Sequence, residues 1–210
     1  MSDEQKQEVQ LNEIKILLID DNEDVLQENE RWLRKYGYER IECAQSAAQA
    51  SKMFGDKKHF DIIVVDMRME EVTSGFKIIK EGEEKLSSSV IVLTANDNVL
   101  DCRQSFKLGA WDYIPKTDTD IANPFEELHK SIVEAIEFNR EWGNIRDETW
   151  ISNNIDELTK EFSGEYVAVM DQQAIAHEKD RDALLTTMKD QGLPTFMPVI
   201  LKIPEGEYYV

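Results

Sequence analysis

Three short, nearly unbroken apolar runs, residues 14–19, 61–65 and 90–93, constrain this chain more than any other feature. Each is rich in Ile and Val, too short for a typical buried helix, and lacks the alternation of a strand with one face in water. Continuous apolar strands belong to a parallel sheet covered by helices on both faces. The segments between them have helical spacing. Residues 23–36 place Val25, Leu26, Trp32 and Leu33 on one face, with Gly37 as a stop. Residues 46–54 are alanine-rich behind a Ser46 cap. A third helix begins near Gly75 with Phe76, Ile78 and Ile79, and a fourth spans 98–108 and ends at Gly109. A weaker strand at 40–44 and another at 111–114 complete five β/α units, and Pro124 opens a fifth helix.

The pattern predicts an α/β fold, a flavodoxin-like doubly wound five-stranded parallel sheet with right-handed crossovers. Such a sheet holds ligands at the carboxyl ends of its strands. Those ends carry chemistry here. Asp20-Asp21 closes the first run, Asp66 the second, Thr94 the third, and Lys116 follows Tyr113-Ile114-Pro115. Carboxylates from two strands attract a hard cation such as Mg²⁺. With a hydroxyl and a lysine they make a set for receiving a phosphoryl group. Each residue alone has a plainer explanation. The acidic pair can cap the next helix, through Asp21 or Asn22. Thr94 is a β-former, and Tyr113 reads as a half-buried strand residue. Capping explains neither Asp66 nor Lys116.

Asp21 to Asp66 is 45 positions, Asp66 to Thr94 is 28, and Thr94 to Lys116 is 22. In order and spacing, Asp20-Asp21, Asp66, Thr94-Ala95 and Lys116 resemble the response-regulator (CheY-like) receiver domains. Gly75 and the stretch Gly109-Ala110-Trp111-Asp112-Tyr113-Ile114 fit the same pattern. The resemblance covers about residues 13–141. It implies that Asp66 is the phosphoacceptor. It implies Mg²⁺ held by Asp21, Asp66 and the backbone carbonyl of Arg68, with Asp20 acting through a metal-bound water. Lys116 and Thr94 then bind the phosphoryl oxygens, Tyr113 turns inward behind Thr94, and Arg68 and Asn96 tune hydrolysis. The implied partners are a histidine kinase or phosphotransfer protein, with a homodimer through helix four, strand five and helix five as a further expectation. No enzyme activity follows beyond Mg-dependent self-phosphorylation from a donor and self-dephosphorylation. The chain departs from the family in the loop Met67-Arg68-Met69-Glu70-Glu71, where many relatives carry proline after the methionine. It also has Pro115 before Lys116 and Thr117 after it, where relatives often have a lysine–proline pair.

Two rivals fail on spacing. A calcium loop starting at Asp20 needs glycine at Val25 and an acid at Arg31. A Mg-dependent phosphatase of the haloacid-dehalogenase type needs an acid two residues beyond its nucleophile, where Asn22 and Arg68 stand; it remains a distant alternative. A net charge of −19 repels nucleic acid and anionic lipid, so neither DNA nor membrane is an expected partner. Cys43 and Cys102 have no metal-site spacing and read as thiols of a reducing compartment. Residues 1–12 read as a polar tail without a secretory signal, and the expected location is cytoplasmic.

Beyond the receiver-like part, Gly143-Asn144 reads as a break within a linker or helix extension at 142–150. Trp142, Ile145 and Trp150 read as packing groups. Residues 151–210 predict a small α+β unit in α-β-β-α-β order: helix 151–162, strands 166–170 and 174–177 around Asp171-Gln172-Gln173, helix 181–191 between Asp180 and Gly192, and strand 196–203. The unit resembles a small uncharacterised α/β domain family. It has no helix-turn-helix or P-loop signature. From Arg146 onward it holds six Lys/Arg against thirteen Asp/Glu. That balance opposes a DNA-binding output and favours a module for an unknown protein partner. His177 reads as a surface residue. The whole reads as a two-component response regulator, the alternative being a scaffold that uses a receiver fold without obligatory phosphorylation.

Overall fold

The structure, a computed structural model, describes residues 10–55, 60–69, 73–86, 88–95, 98–117, 123–195 and 198–205. Two compact units are present, residues 1–137 and 138–210.

In the first unit β1 (Lys15–Ile19), α1 (Glu23–Lys35), β2 (Arg40–Ala44), α2 (Ala47–Gly55), β3 (Ile62–Val65), α3 (Ser74–Leu86), β4 (Ser89–Thr94), α4 (Val99–Lys107) and β5 (Asp112–Pro115) follow in strict alternation. A short 3-10 turn at Leu11–Glu13 precedes them, and residues 1–9 of the expected tail lie outside the described residues. The strands form one parallel sheet in the order β2-β1-β3-β4-β5. Every residue of β3 and β4 is buried, as the unbroken apolar runs require. Each fully buried Ile, Leu or Val contributes about 1.5–3 kcal/mol relative to exposure. The helix boundaries follow the polar punctuation. Asn22 caps α1, accepting from the N–H groups of Asp24 and Val25, and Gly37 ends it at φ 98°. Ser46 Oγ accepts from Gln49 N at 3.1 Å at the start of α2. With Asn22 as the cap, the pair Asp20-Asp21 is free of that duty.

α5 (Pro124–Phe162) differs from expectation: it is one helix of 39 residues, with no break at Gly143-Asn144 and no separate helix at 151. A single interior glycine costs a helix only about 1 kcal/mol, and no proline removes a hydrogen bond there.

In the second unit β6 (Tyr166–Met170), β7 (Gln173–Glu178), α6 (Arg181–Asp190) and β8 (Val199–Lys202) complete the chain. The sheet is antiparallel, in the order β7-β6-β8. One face buries Val167 and Val169 against Ile151, Leu158 and Phe162 of α5, with Trp150 beside them. The other buries Ala168 and Ala176 against Leu184 and Met188 of α6. The β6–β7 hairpin turns through Asp171 (φ 53°) and Gln172 (φ 59°). Two successive positive φ values are the geometry of a two-residue primed turn, normally Asn-Gly. Here a carboxylate from α5 supports the costlier residues. Asp147, 3% exposed, accepts from Asp171 N at 3.2 Å and Gln172 N at 2.8 Å. Arg146 pairs with Asp171 at 3.1 Å. Burial pushes the Asp147 carboxyl above its ordinary range, partly opposed by the Gln172 N–H.

Candidate functional site

Strand register assembles the strand-end residues. Ile19 of β1 lies opposite Val65 of β3, so Asp20 and Asp66 are the next residues on adjacent strands. The chain is tied there: Asp66 N donates to Ile19 O at 2.9 Å, and Asp20 N donates to Ala44 O at 3.2 Å. On the other side Thr94 of β4 pairs with Pro115 of β5, and Lys116 N donates to Thr94 O at 2.7 Å. Lys116 therefore projects from the strand end beyond Thr94. Its Nζ reaches Asp20 Oδ2 at 3.2 Å and lies 4.0 Å from Asp66 Oδ1. Asp20 is 5% exposed, Asp66 9% and Thr94 1%.

The Asp66 carboxylate is held by Arg68 N, which donates to Oδ2 at 2.7 Å, and by the Thr94 hydroxyl. Its acidity reflects a contest. Burial pushes the carboxyl above its ordinary value; Lys116, the Arg68 N–H and the Thr94 hydroxyl pull it down; the Asp20 charge pushes it up again. Burial wins. The site thus holds two largely buried carboxylates against one partly exposed lysine, an arrangement that favours additional positive charge.

The two acids of the pair have different surroundings. Asp20 is buried on Lys116, and its Oδ1 accepts from Asn22 N at 3.0 Å. Asp21 is exposed at the strand end. Consecutive extended residues point to opposite sides, so one acid of a pair turns inward and the next does not. Among the described residues no group of three Asp, Glu, His or Cys side chains is gathered closely enough to hold a metal ion. Mg²⁺ does not require three, because it commonly takes one or two carboxylates and keeps several waters. Asp20 and Asp66, with Asp21 at the exposed edge and the Arg68 carbonyl on the same turn, fit such a cation. Arg68 has an exposed side chain, and Asn96 lies outside the described residues together with Glu70 and Glu71. Tyr113, half-buried on β5, packs against the core beside the site.

Sequence reasoning did not foresee the packing beneath Asp66. Met67, 3% exposed, has its Sδ 3.8 Å from Ser105 Oγ on α4, and it abuts Gly75 on α3. Gly75 was visible as part of a pattern; no local signal in the sequence announces Ser105.

The likeness to known proteins matches this geometry. Residues 16–124 match the response regulator receiver domain family, and residues 157–206 match a family of unknown function, DUF5678. Over 100 residues the chain is 31% identical to the heme response regulator HssR of Staphylococcus saprophyticus, covering 48% of this chain and 43% of that protein. Over 107 residues it is 31% identical to the transcriptional regulatory protein ResD of Bacillus subtilis, covering 51% of this chain and 43% of that one. The chain thus spans less than half the length of these relatives. A response regulator receiver domain protein of Clostridium thermocellum superposes with a TM-score of 0.51 at 28% identity, covering 59% of this chain and 94% of that one. Receiver domains of this kind generally bind Mg²⁺ for phosphorylation and interact with histidine kinases or phosphotransfer proteins. Among the described residues no helix is long and apolar enough to cross a membrane. With the matched segment spanning all five strands and the strand-end acids, threonine and lysine, the chain belongs to the response regulator receiver domain family.

Proposed function

We propose that this protein is a phosphorylation-dependent response regulator whose phosphoacceptor is Asp66 and whose second unit is a protein-interaction module. The observation that carries the reading is Lys116 reaching from β5 to both Asp20 (3.2 Å) and Asp66 (4.0 Å), while the Thr94 hydroxyl bonds Asp66. In transfer, a carboxylate oxygen of Asp66 forms the new bond to phosphorus, the bond to the donor's leaving group breaks, and its electron pair departs with that group. Lys116 supplies a fixed positive charge to the phosphoryl oxygens, and the Thr94 hydroxyl exchanges Asp66 for a phosphoryl oxygen as its acceptor. Asp21, Asp66 and the Arg68 carbonyl, with Asp20 acting through a metal-bound water, would hold Mg²⁺, which would supply charge neutralisation during the transfer.

Movement of Thr94 frees space that Tyr113 enters, and the face of α4, β5 and α5 changes with it. Charge added at one place thereby biases a bistable surface elsewhere. The donor is a histidine kinase or phosphotransfer protein, and the protein acts in the cytoplasm. The excess of acids from Arg146 onward supports a protein partner rather than DNA for the second unit.

The test is incubation with acetyl phosphate, with and without Mg²⁺, followed by intact mass and tryptophan fluorescence. Mg²⁺-dependent gain of one phosphoryl group, lost in Asp66→Asn, is expected. No gain in the wild type would overturn the reading in favour of a scaffold.

A further inference from the structure

We propose that Gly75, with Ser105, is a positioning residue for the phosphoacceptor: together they clamp Met67 and so set where the Asp66 carboxylate stands. The inference rests on the reading of Asp66 as the acceptor. Gly75 lies in the first turn of α3, where its backbone takes no special conformation, so a glycine is not needed for a positive φ. It is needed for closeness. A Cβ at Gly75 would lie 2.9 Å from Met67 Sδ, 3.0 Å from Met67 Cα and 3.3 Å from the Asp66 carbonyl oxygen.

The first contact could be relieved by a side-chain swing, although Met67 is 3% exposed and its sulfur packs 3.8 Å from Ser105 Oγ, whose proton goes to Asp101 O at 2.8 Å. The second and third cannot, because they are backbone. That backbone is already fastened by Asp66 N to Ile19 O at 2.9 Å, and by Arg68 N to the Asp66 side chain at 2.7 Å. An added methyl at Gly75 must therefore either move α3 or move the Asp66–Arg68 turn. The turn carries the Asp66 carboxylate, which lies 4.0 Å from Lys116 Nζ and interacts with the Thr94 hydroxyl.

Gly82 provides an internal control. It lies on the same helix, and its added Cβ would crowd Val90 Cγ2 at 2.6 Å and Ile63 Cδ1 at 3.1 Å. Those are core side chains, not the acceptor's backbone. Gly75→Ala and Gly82→Ala thus make the same chemical change in one helix, and one of them presses on the site.

The experiment compares full-length wild type, Gly75→Ala and Gly82→Ala in three measurements: thermal melting, the NMR titration of the Asp66 carboxyl without Mg²⁺, and the initial rate of phosphoryl gain from acetyl phosphate with saturating Mg²⁺. The expectation is that Gly82→Ala lowers the melting temperature while labelling at the wild-type rate. Gly75→Ala is expected to label about tenfold more slowly, since displacement on the order of 1 Å costs about 100-fold, and to shift the Asp66 titration. Equal labelling and titration in Gly75→Ala and wild type overturns the positioning role alone, as does an equal slowing in both variants. A wild type that gains no phosphoryl group overturns the acceptor reading and this inference with it. Should Gly75→Ala lack a cooperative melt, Ser105→Ala decides. It adds no atom, removes the Oγ packed against the Met67 sulfur and also removes that hydroxyl's bond to Asp101 O (2.8 Å), a change within α4 that the melt reports. Slower labelling with a shifted Asp66 titration supports the clamp, and wild-type labelling and titration overturn it.

Discussion

Asp66 in the first unit and Asp147 in the second are alike in isolation. Both are buried, both accept backbone N–H bonds, and burial pushes both carboxyls above their ordinary values. Their neighbours differ. The two Asp147 oxygens are each committed to an N–H of the hairpin turn, and Arg146 spends its charge on Asp171. That arrangement is closed: it fastens a turn with two positive φ values to α5. Asp66 shares a lysine with a second buried acid and holds a hydroxyl that can change acceptor. That arrangement is open to a further charged group. On the proposed reading, what separates the two buried carboxylates is whether their surroundings can still accept a further group.

The largest expected effect that tests this contrast is on phosphoryl uptake. Asp66→Asn should abolish it, while Asp147→Asn should leave it at the wild-type rate; loss in both variants would erase the distinction. Next, Lys116→Ala should slow uptake by about 10²–10³-fold, the usual cost of removing one preorganised charge-stabilising donor. A rate within twofold of wild type would remove Lys116 from the mechanism.

Asp147→Ala should cost about 2 kcal/mol, because two turn N–H groups lose their acceptor. For a unit of this size that is a fall of roughly 4–8 °C per kcal/mol in its melting transition. An unchanged transition would show that the turn closes without its clamp. Arg146→Ala, which removes an exposed pair, should cost less than about 1 kcal/mol.

The pH dependence separates the two acids further. A carboxyl whose folded-state pKa is raised binds its proton more tightly in the folded form. Its contribution to stability is full below the ordinary value of about 3.9 and is lost as pH rises through the folded-state value. Asp66→Asn should therefore gain melting temperature over wild type as pH rises toward neutrality and show no gain below about pH 4. Asp147→Asn should show a smaller gain, because the amide supplies only one of the two acceptor oxygens that the turn uses. A pH-independent difference for Asp66→Asn would contradict the burial argument.

Much of the first unit was legible because its signals are local. The runs at 14–19, 61–65 and 90–93 are buried on both faces, and hydrophobicity alone specifies such strands. The residues just past them become neighbours by sheet register, so Asp20, Asp66, Thr94 and Lys116 could be grouped from the sequence. Local caps were legible for the same reason: Ser46 and Asp180 each bond N–H groups within three residues. The continuity of α5 through Gly143 was not legible, because a glycine's preference against a helix interior is worth only about 1 kcal/mol and does not by itself end a helix. Nor was the Asp147 clamp, whose partners lie 24 and 25 residues away on a turn that local preference would give to Asn-Gly.

The sequence by itself determined the alternation of strands and helices, the parallel sheet and the identity of the groups at its carboxyl edge, since these follow from hydrophobic periodicity and strand ends. Only the tertiary structure decided that Asp20 rather than Asp21 meets Lys116, that Asp66 is held against burial by Lys116, Arg68 N and Thr94, and that Gly75 lies too close to the backbone of Asp66 and Met67 to carry a Cβ. Those facts depend on side-chain direction and on contacts between segments far apart in the chain. Such contacts exist only once the core has brought the segments to within a few ångströms of one another.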